Sequence, residues 1–294
     1  MIIENFPALI EQLNRKLSPC TVCPFKCGTD RYSDNGGRCK TGSILKIASH
    51  NLHHGEEPPI SGSRGSGTIF FSGCSLRCAF CQNYPISQLL NGNEVTISKL
   101  SEYMLSLQTR GAHNINLVSP THFVPQIVEA LWLAVKKGLK IPIVYNSGGY
   151  DDIEVLKCLE GIVDIYLPDM KYGDNKNALK YSGAKNYVEI NRAAIGEMYR
   201  QAGELVTDKD GAALKGLIIR HLVLPGNISN TEKVLEFIAN LSKTIPVSLM
   251  SQYFPAHRAG SMPELQRKLR REEYLSALHA LDDLGLVNGW TQPV

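Results

Sequence analysis

From residue 67 onward, short apolar runs alternate with amphipathic stretches. The runs are GTIFFS (67–72), NINLVS (114–119), IPIVYN (141–146), IVDIYL (162–167), LIIRHLVL (217–224) and IPVSLM (245–250), each of strand length. Between them, SKLSEYMLSLQTRG and VPQIVEALWLAVKKG repeat apolar positions at helical spacing. Ser98 stands as N-cap of the first and Gly111 lies past its end, while Lys136, Lys137 and Gly138 close the second. Strands separated by helices form repeated βαβ units and hence a parallel sheet. The pattern predicts an α/β chain whose six strands either close partway into a barrel or lie as an open doubly wound sheet. Both arrangements place a site at the C-terminal strand ends.

The residues after each strand agree with that placement. They read GCSLRCAFC, PTH (120–122), SGGY (147–150), PDMKY (168–172), PGN (225–227) and SQYFPAHRAG (251–260) in turn. Polar, glycine-rich and cysteine-rich chemistry therefore falls on one rim. The N-terminal sixty residues are cysteine-rich and poor in long periodic elements, and HHGEEPPISGSRGSG (53–67) reads as a connecting loop. The expected division is a Cys-rich module over 1–60, the strand-and-helix body over 61–260, and a C-terminal helix and tail over 261–294 packed on it.

Composition narrows the function classes. The 294 residues carry 43% hydrophobic and 20% charged positions, and 31 basic side chains nearly cancel 28 acidic ones, so no polyanion-binding surface and no nucleic-acid partner is expected. The run RKLRR (267–271) reads as a solvated helix face. No stretch approaches the ~20 apolar residues of a membrane span. The opening MIIENFPALI has Glu4 where a secretion signal has basic residues. A cytoplasmic protein is expected, and in a reducing compartment its eight cysteines point to metal or cluster ligation instead of disulfides.

Three of them, Cys74, Cys78 and Cys81, lie in FFSGCSLRCAFCQN directly after the first strand. Soft thiolates select zinc, copper(I) or iron-sulfur clusters. Structural zinc needs a fourth ligand, for which His113 or His122 are candidates; a 4Fe-4S cluster on three thiolates instead leaves one iron with open coordination. The spacing C-x3-C-x2-C, with aromatic Phe80 before the last cysteine, resembles the signature of the radical S-adenosylmethionine (radical SAM) superfamily. CPFKCGTDR, HHGEEPP and SGTIFFSGCSLRCAFCQNY resemble the branch related to pyruvate formate-lyase activating enzyme. The resemblance implies a partial (β/α)6 barrel, a 4Fe-4S cluster at Cys74, Cys78 and Cys81, and SAM. It further implies a reductant such as flavodoxin or ferredoxin, a 5'-deoxyadenosyl radical that abstracts hydrogen, and a glycyl radical enzyme as candidate partner.

The resemblance also implies cofactor contacts. Asp169 and Lys171 match the Asp-x-Lys of the activating enzymes, and alternate residues on an extended segment point to one side; a local ion pair is the structural alternative. Arg220 and His257 match positions lining the group's cofactor pocket, and Phe80, Thr121 and Asn146 complete the expected set. Two departures stand out. Where most of the superfamily has Gly-Gly-Glu to hold the SAM amine, this chain has Ser119, Pro120 and Thr121, which offers no charge. Where the activating enzymes have Asp-Thr-Asn-Gly, it has Tyr145, Asn146, Ser147 and Gly148. Those changes bear on glycyl-radical activation more than on cofactor binding.

Cys20, Cys23, Cys27 and Cys39 form C-x2-C-x3-C-x11-C, four soft ligands for a closed zinc site or an auxiliary iron-sulfur cluster. Cys158 reads as a buried helical thiol, Trp132 as core and Trp290 as a packing anchor. HNLHHGEEPP mixes His and Glu, but its place before the first strand puts it at the end opposite the active rim, as a structural loop. Two other functions compete with activation of a glycyl radical enzyme: radical modification of another peptide or a small metabolite, and a non-catalytic iron-sulfur or zinc scaffold.

Overall fold

The computed structural model describes residues 6–33 and 36–293. Its elements, in order, are α1 (Phe6–Arg15), β1 (Leu45–His53), α2 (Pro58–Ser61), β2 (Ser66–Phe71), α3 (Tyr84–Ser87), β3 (Asn93–Val95), α4 (Ile97–Thr109) and β4 (Ile115–Val118). There follow α5 (Val124–Lys136), β5 (Ile143–Asn146), α6 (Ile153–Lys157), β6 (Ile165–Tyr166), α7 (Asn175–Ser182), α8 (Tyr187–Ala202), β7 (Val206–Thr207) and β8 (Ala213–Leu217). The last are β9 (Ile219–Leu222), α9 (Thr231–Leu241), β10 (Val247–Met250), α10 (Arg271–Asp283) and β11 (Gly289–Thr291).

Each of the six apolar runs contains a parallel strand. β2 pairs with β4 (Gly67 opposite Ile115), β4 with β5, β5 with β6 and β6 with β8. β8 passes through Ile218 into β9, which pairs in parallel with β10, and β10 with β11. A parallel bridge between Asp169 and Arg220 carries the pairing across the β8–β9 break, so the two hydrogen-bonded sheets make one curved wall. The result is a partial (β/α)6 barrel, which decides against the flat alternative. Antiparallel β1 and β3 extend its first edge, β1 lying along β2 with His50 opposite Ile69.

Helices cover the outside with the apolar faces their spacing predicts. α4 buries Leu100, Met104 and Leu107, α5 buries Val124, Ile127, Val128, Leu131 and Ala134, and α9 buries Val234, Leu235 and Ile238. Thr96, not Ser98, caps α4: its hydroxyl accepts the Lys99 N–H at 3.1 Å, because the helix begins two residues earlier than the apolar pattern alone suggests. The RKLRR run lies mostly ahead of α10 instead of on it, and Arg267 forms a two-pronged pair with Glu273 that fastens the approach. Trp132 packs on the core with Lys136 Nζ 3.6 Å from its ring centroid. Cys158 is only partly buried, at the end of α6, with its thiol donating to the Glu154 carbonyl at 3.2 Å. No helix among the described residues is long and apolar enough to cross a membrane.

Candidate active site

The loop after β2 carries Cys74, Cys78 and Cys81 across the C-terminal rim. It is tied to its surroundings through backbone groups: the Ala79 N–H donates to the Tyr181 carbonyl at 2.7 Å, and Gln88 donates to the Cys78 carbonyl at 2.8 Å. The sulfurs sit among hydrogen-bond donors. Cys74 accepts from the N–H groups of Leu76 and Arg77, Cys78 from the Ser182 hydroxyl at 3.0 Å, and Cys81 from the Asn83 N–H, with the Ser87 hydroxyl 3.1 Å away. Burial pushes all three thiols up, they push one another up, and the Lys171 ammonium opposes this at each. A buried thiol of that kind gives up its proton when a metal replaces it.

Among the described residues no three Cys, His, Asp or Glu side chains are gathered tightly enough to enclose an ion as they stand. The donor chemistry nevertheless fits a cluster: three soft sulfurs on one loop act electrically on one another, with N–H and O–H donors turned toward them. The two histidines considered as a fourth ligand are engaged elsewhere. His122 is fully buried, its Nε2–H donating to the Ser72 carbonyl at 2.9 Å, and burial beside Arg31 pushes its pKa down to about 3. His113 accepts the Arg64 N–H at 3.2 Å.

Thr121 and Asn146 sit at the ends of β4 and β5. The Thr121 hydroxyl donates to the buried carboxylate of Asp151 at 2.7 Å, which also accepts from Tyr145 at 2.9 Å and Ser147 at 2.6 Å. Burial raises the Asp151 carboxyl, and those three donors oppose the rise. Sequence reasoning missed Asp151. Its signal was present in SGGYDD, an acidic pair just past a strand end, but only the fold brings it to Thr121. Cys74, Ser119, Thr121, His122, Gly148 and Tyr150 share the small recess beside it.

Deeper in the barrel, Asp169 accepts from Arg220 Nε at 3.0 Å and from the Lys171 ammonium, while Arg220 also donates to the Asn146 amide oxygen. Arg220 further meets the Glu56 carboxylate at 3.4 Å. The ion pair named as the structural alternative thus forms, within a larger network of two cations and two carboxylates. Burial disfavours the Asp169 charge, but Lys171 and Arg220 outweigh it and hold the carboxyl below its ordinary range. Lys171, in turn, stays charged, and its charge acts on the thiols of Cys74, Cys78 and Cys81, with that of Asp169 opposing it at Cys78. Glu56 comes from the HHGEEPP loop, at the end of the barrel opposite the cysteine rim.

Phe80 is buried edge-on to Tyr172 and Tyr253, with ring centroids 6.3 and 6.1 Å away. His257 stacks on Tyr84 at 5.0 Å, and its Nε2 lies 3.2 Å from Gln88 Oε1, the residue that holds the Cys78 carbonyl. Of the seven expected cofactor residues, Asn146, Asp169, Lys171 and Arg220 form one hydrogen-bonded network, Phe80 and His257 pack beside the cysteine loop, and Thr121 pairs with Asp151.

The N-terminal cysteines show a repeated local geometry. Cys20 accepts the N–H of Val22, Cys23 that of Phe25 and Cys27 that of Thr29, in each case the residue two positions on. Burial drives Cys23 up to about 12 and raises Cys20, whereas the donors around Cys27, including the Arg38 N–H, overcome its burial and lower it. Each of Cys20 and Cys23 is raised further by the other thiols of the set, Cys39 among them.

The radical SAM superfamily pattern matches residues 68–257. An uncharacterized protein of Methanocaldococcus jannaschii is 31% identical over 280 residues, covering 91% of this chain and 75% of that protein. The pyruvate formate-lyase-activating enzyme of Clostridium pasteurianum is 22% identical over 224 residues, covering 73% of this chain and 84% of the enzyme. Among solved structures, Streptococcus suis SuiB bound to precursor peptide SuiA superposes with a TM-score of 0.53 at 13% identity, over 75% of this chain and 46% of SuiB, so this chain spans under half of that longer protein. With the parallel partial barrel and the cysteine loop at its rim, these matches make the chain a member of the radical SAM superfamily.

Proposed function

We propose that Cys74, Cys78 and Cys81 hold a 4Fe-4S cluster at which SAM binds, and that the resulting radical removes hydrogen from a substrate. Held by Cys74, Cys78 and Cys81, the family's cofactors would supply the hard step, in which one electron from a reduced cluster would split SAM into methionine and a 5'-deoxyadenosyl radical. Everything else falls to this chain. Lys171, kept charged beside Asp169, supplies a fixed cation for a carboxylate near the thiolates. The Thr121 hydroxyl donates its hydrogen bond to Asp151 and so offers only lone pairs, polarised by a carboxylate, to the N–H groups of the SAM amine; this stands where Gly-Gly-Glu places a charge elsewhere in the superfamily. Asn146 and Arg220 brace Asp169 from the barrel side. Phe80, Tyr172 and Tyr253 wall the loop with apolar surface that keeps water from a reactive intermediate.

The substrate reading with the most support is a backbone glycine of a partner protein, resting on the similarity to the Clostridium activating enzyme, with flavodoxin or ferredoxin as reductant. The four N-terminal thiols suit a closed tetrathiolate site, zinc or a second cluster, because three of them are already cradled by backbone N–H groups.

The observation that carries the reading is the conjunction of three mutually interacting thiols with Lys171 and the Thr121–Asp151 pair on one rim. The test is anaerobic reconstitution followed by dithionite and SAM. Release of 5'-deoxyadenosine supports the enzyme; a fully loaded, reduced sample that releases none supports the scaffold. A glycyl radical doublet appearing on a co-incubated partner would select the activation reading over a peptide or metabolite substrate.

A further inference from the structure

We propose that Arg38 is a positioning residue for the cluster loop, and the link through which the N-terminal four-cysteine segment acts on it. The inference rests on the assignment of the cluster to Cys74, Cys78 and Cys81. Arg38 precedes Cys39, and its backbone N–H donates to the Cys27 sulfur, so its backbone belongs to the four-cysteine segment. Its side chain leaves that segment. Nε–H donates to the Ser75 carbonyl at 3.0 Å, and Nη2 donates to the Leu76 carbonyl at 3.3 Å and the Ser182 carbonyl at 2.8 Å. Ser75 and Leu76 lie between the first and second cluster cysteines, and the Ser182 hydroxyl donates to the Cys78 sulfur at 3.0 Å. One guanidinium therefore grips both the loop and the helix end that holds its middle sulfur. The other face of the guanidinium rests 4.7 Å from the ring centroid of Phe25, whose N–H donates to Cys23.

The packing is close enough to require glycine on both sides. Gly183 has φ +62°, and a Cβ there would stand 2.5 Å from Arg38 Nη2. Gly73, at φ +88° just before Cys74, admits the Cys39 carbonyl and the Thr41 methyl, which a Cβ would meet at 3.0 and 2.7 Å. A planar fork that donates to three carbonyls is a task for which lysine is no substitute. Its charge also lies within electrostatic reach of Cys74 and Cys78. A fixed cation there favours the state with one more electron, so Arg38 raises the ease of cluster reduction as well as fixing the loop.

The experiment uses the full chain, anaerobically reconstituted, comparing wild type with R38Q, R38K, C39A and the R38Q/C39A double variant. Iron, sulfide and zinc contents are measured with the midpoint potential and the EPR spectrum of the reduced cluster with and without SAM. The expected results are a more negative potential in R38Q, a smaller shift with an altered SAM-dependent spectrum in R38K, and a shift in C39A that the double variant does not exceed beyond R38Q. A fully loaded R38Q with wild-type potential overturns the proposal, as does a C39A protein that keeps both potential and spectrum. Should R38Q fail to fold, R38K decides: identity with wild type in potential and SAM response refutes it. A wild type with no SAM-responsive cluster sinks the cluster assignment itself, and the proposal with it, before any Arg38 comparison is made.

Discussion

With its hydroxyl hydrogen committed to Asp151, the Thr121 oxygen has only acceptor capacity left, and that is the property the N–H groups of a metal-bound amine need. Thr121→Val should therefore raise the KM for SAM about tenfold, the worth of one net hydrogen bond, with iron content unchanged; unaltered SAM dependence would remove Thr121 from the site. Asp151→Asn should act in the same direction, because an amide must turn a donor toward one of the three hydroxyls it now faces. Cys78→Ala should abolish 5'-deoxyadenosine release and lower bound iron by roughly one cluster, measured by iron and sulfide assay; undiminished turnover would refute the loop assignment. The cysteines were legible in the sequence because a covalent spacing of three and two residues survives any fold. Asp151 was not, since its pairing with Thr121 depends on β4 and β5 ending side by side. Asp169, Lys171 and Arg220 were legible as positions, while their mutual pairing and the arrival of Glu56 from the opposite end were not.

At the scale of the elements, the six apolar runs found their strands because a parallel strand covered on both faces must be apolar throughout, which makes it conspicuous. β1 escaped notice for the opposite reason. LKIASHNLH keeps only Leu45 and Ile47 fully buried and breaks its alternation at a register shift between Ile47 and Ser49, so no period announces it. α1 was likewise hidden within a segment dominated by its cysteines. The cap of α4 offers a test of local energetics: Thr96→Ala should cost about 1 kcal/mol in chemical denaturation by leaving the Lys99 N–H without its acceptor. Leu131→Ala, at a fully enclosed position between α5 and the sheet, should cost about 2–5 kcal/mol by removing contacts and leaving a cavity. If the two costs came out alike, the claim that packing on the sheet, more than local helix chemistry, stabilises these elements would fail.

For the whole molecule, the barrel holds two kinds of buried titratable group. The network at Asp169, Lys171 and Arg220 is paired, while His221 is buried neutral, its Nδ1–H donating to the Met170 carbonyl and its Nε2 accepting from Thr231 at 2.9 Å. Burial pushes its pKa from 6.5 down to about 4, with the Met170 contact opposing. The folded state thus refuses a proton that the unfolded state accepts. The corresponding stability, on the order of 3 kcal/mol, is fully present above pH 6.5 and is lost as pH falls from there to about 4. The urea midpoint should therefore fall less over that interval in His221→Asn than in the parent chain; equal slopes would show that His221 does not govern the acid response. The central claim concerns the cysteine rim: three thiolates leave one corner of a cluster free to bind SAM. Its most direct measurement is electron-nuclear double resonance on the reduced, reconstituted protein with SAM labelled with nitrogen-15 at the methionyl amine. The account predicts a resolved nitrogen coupling that is absent in Cys78→Ala, whereas a loaded wild-type cluster without coupling to the label would contradict it.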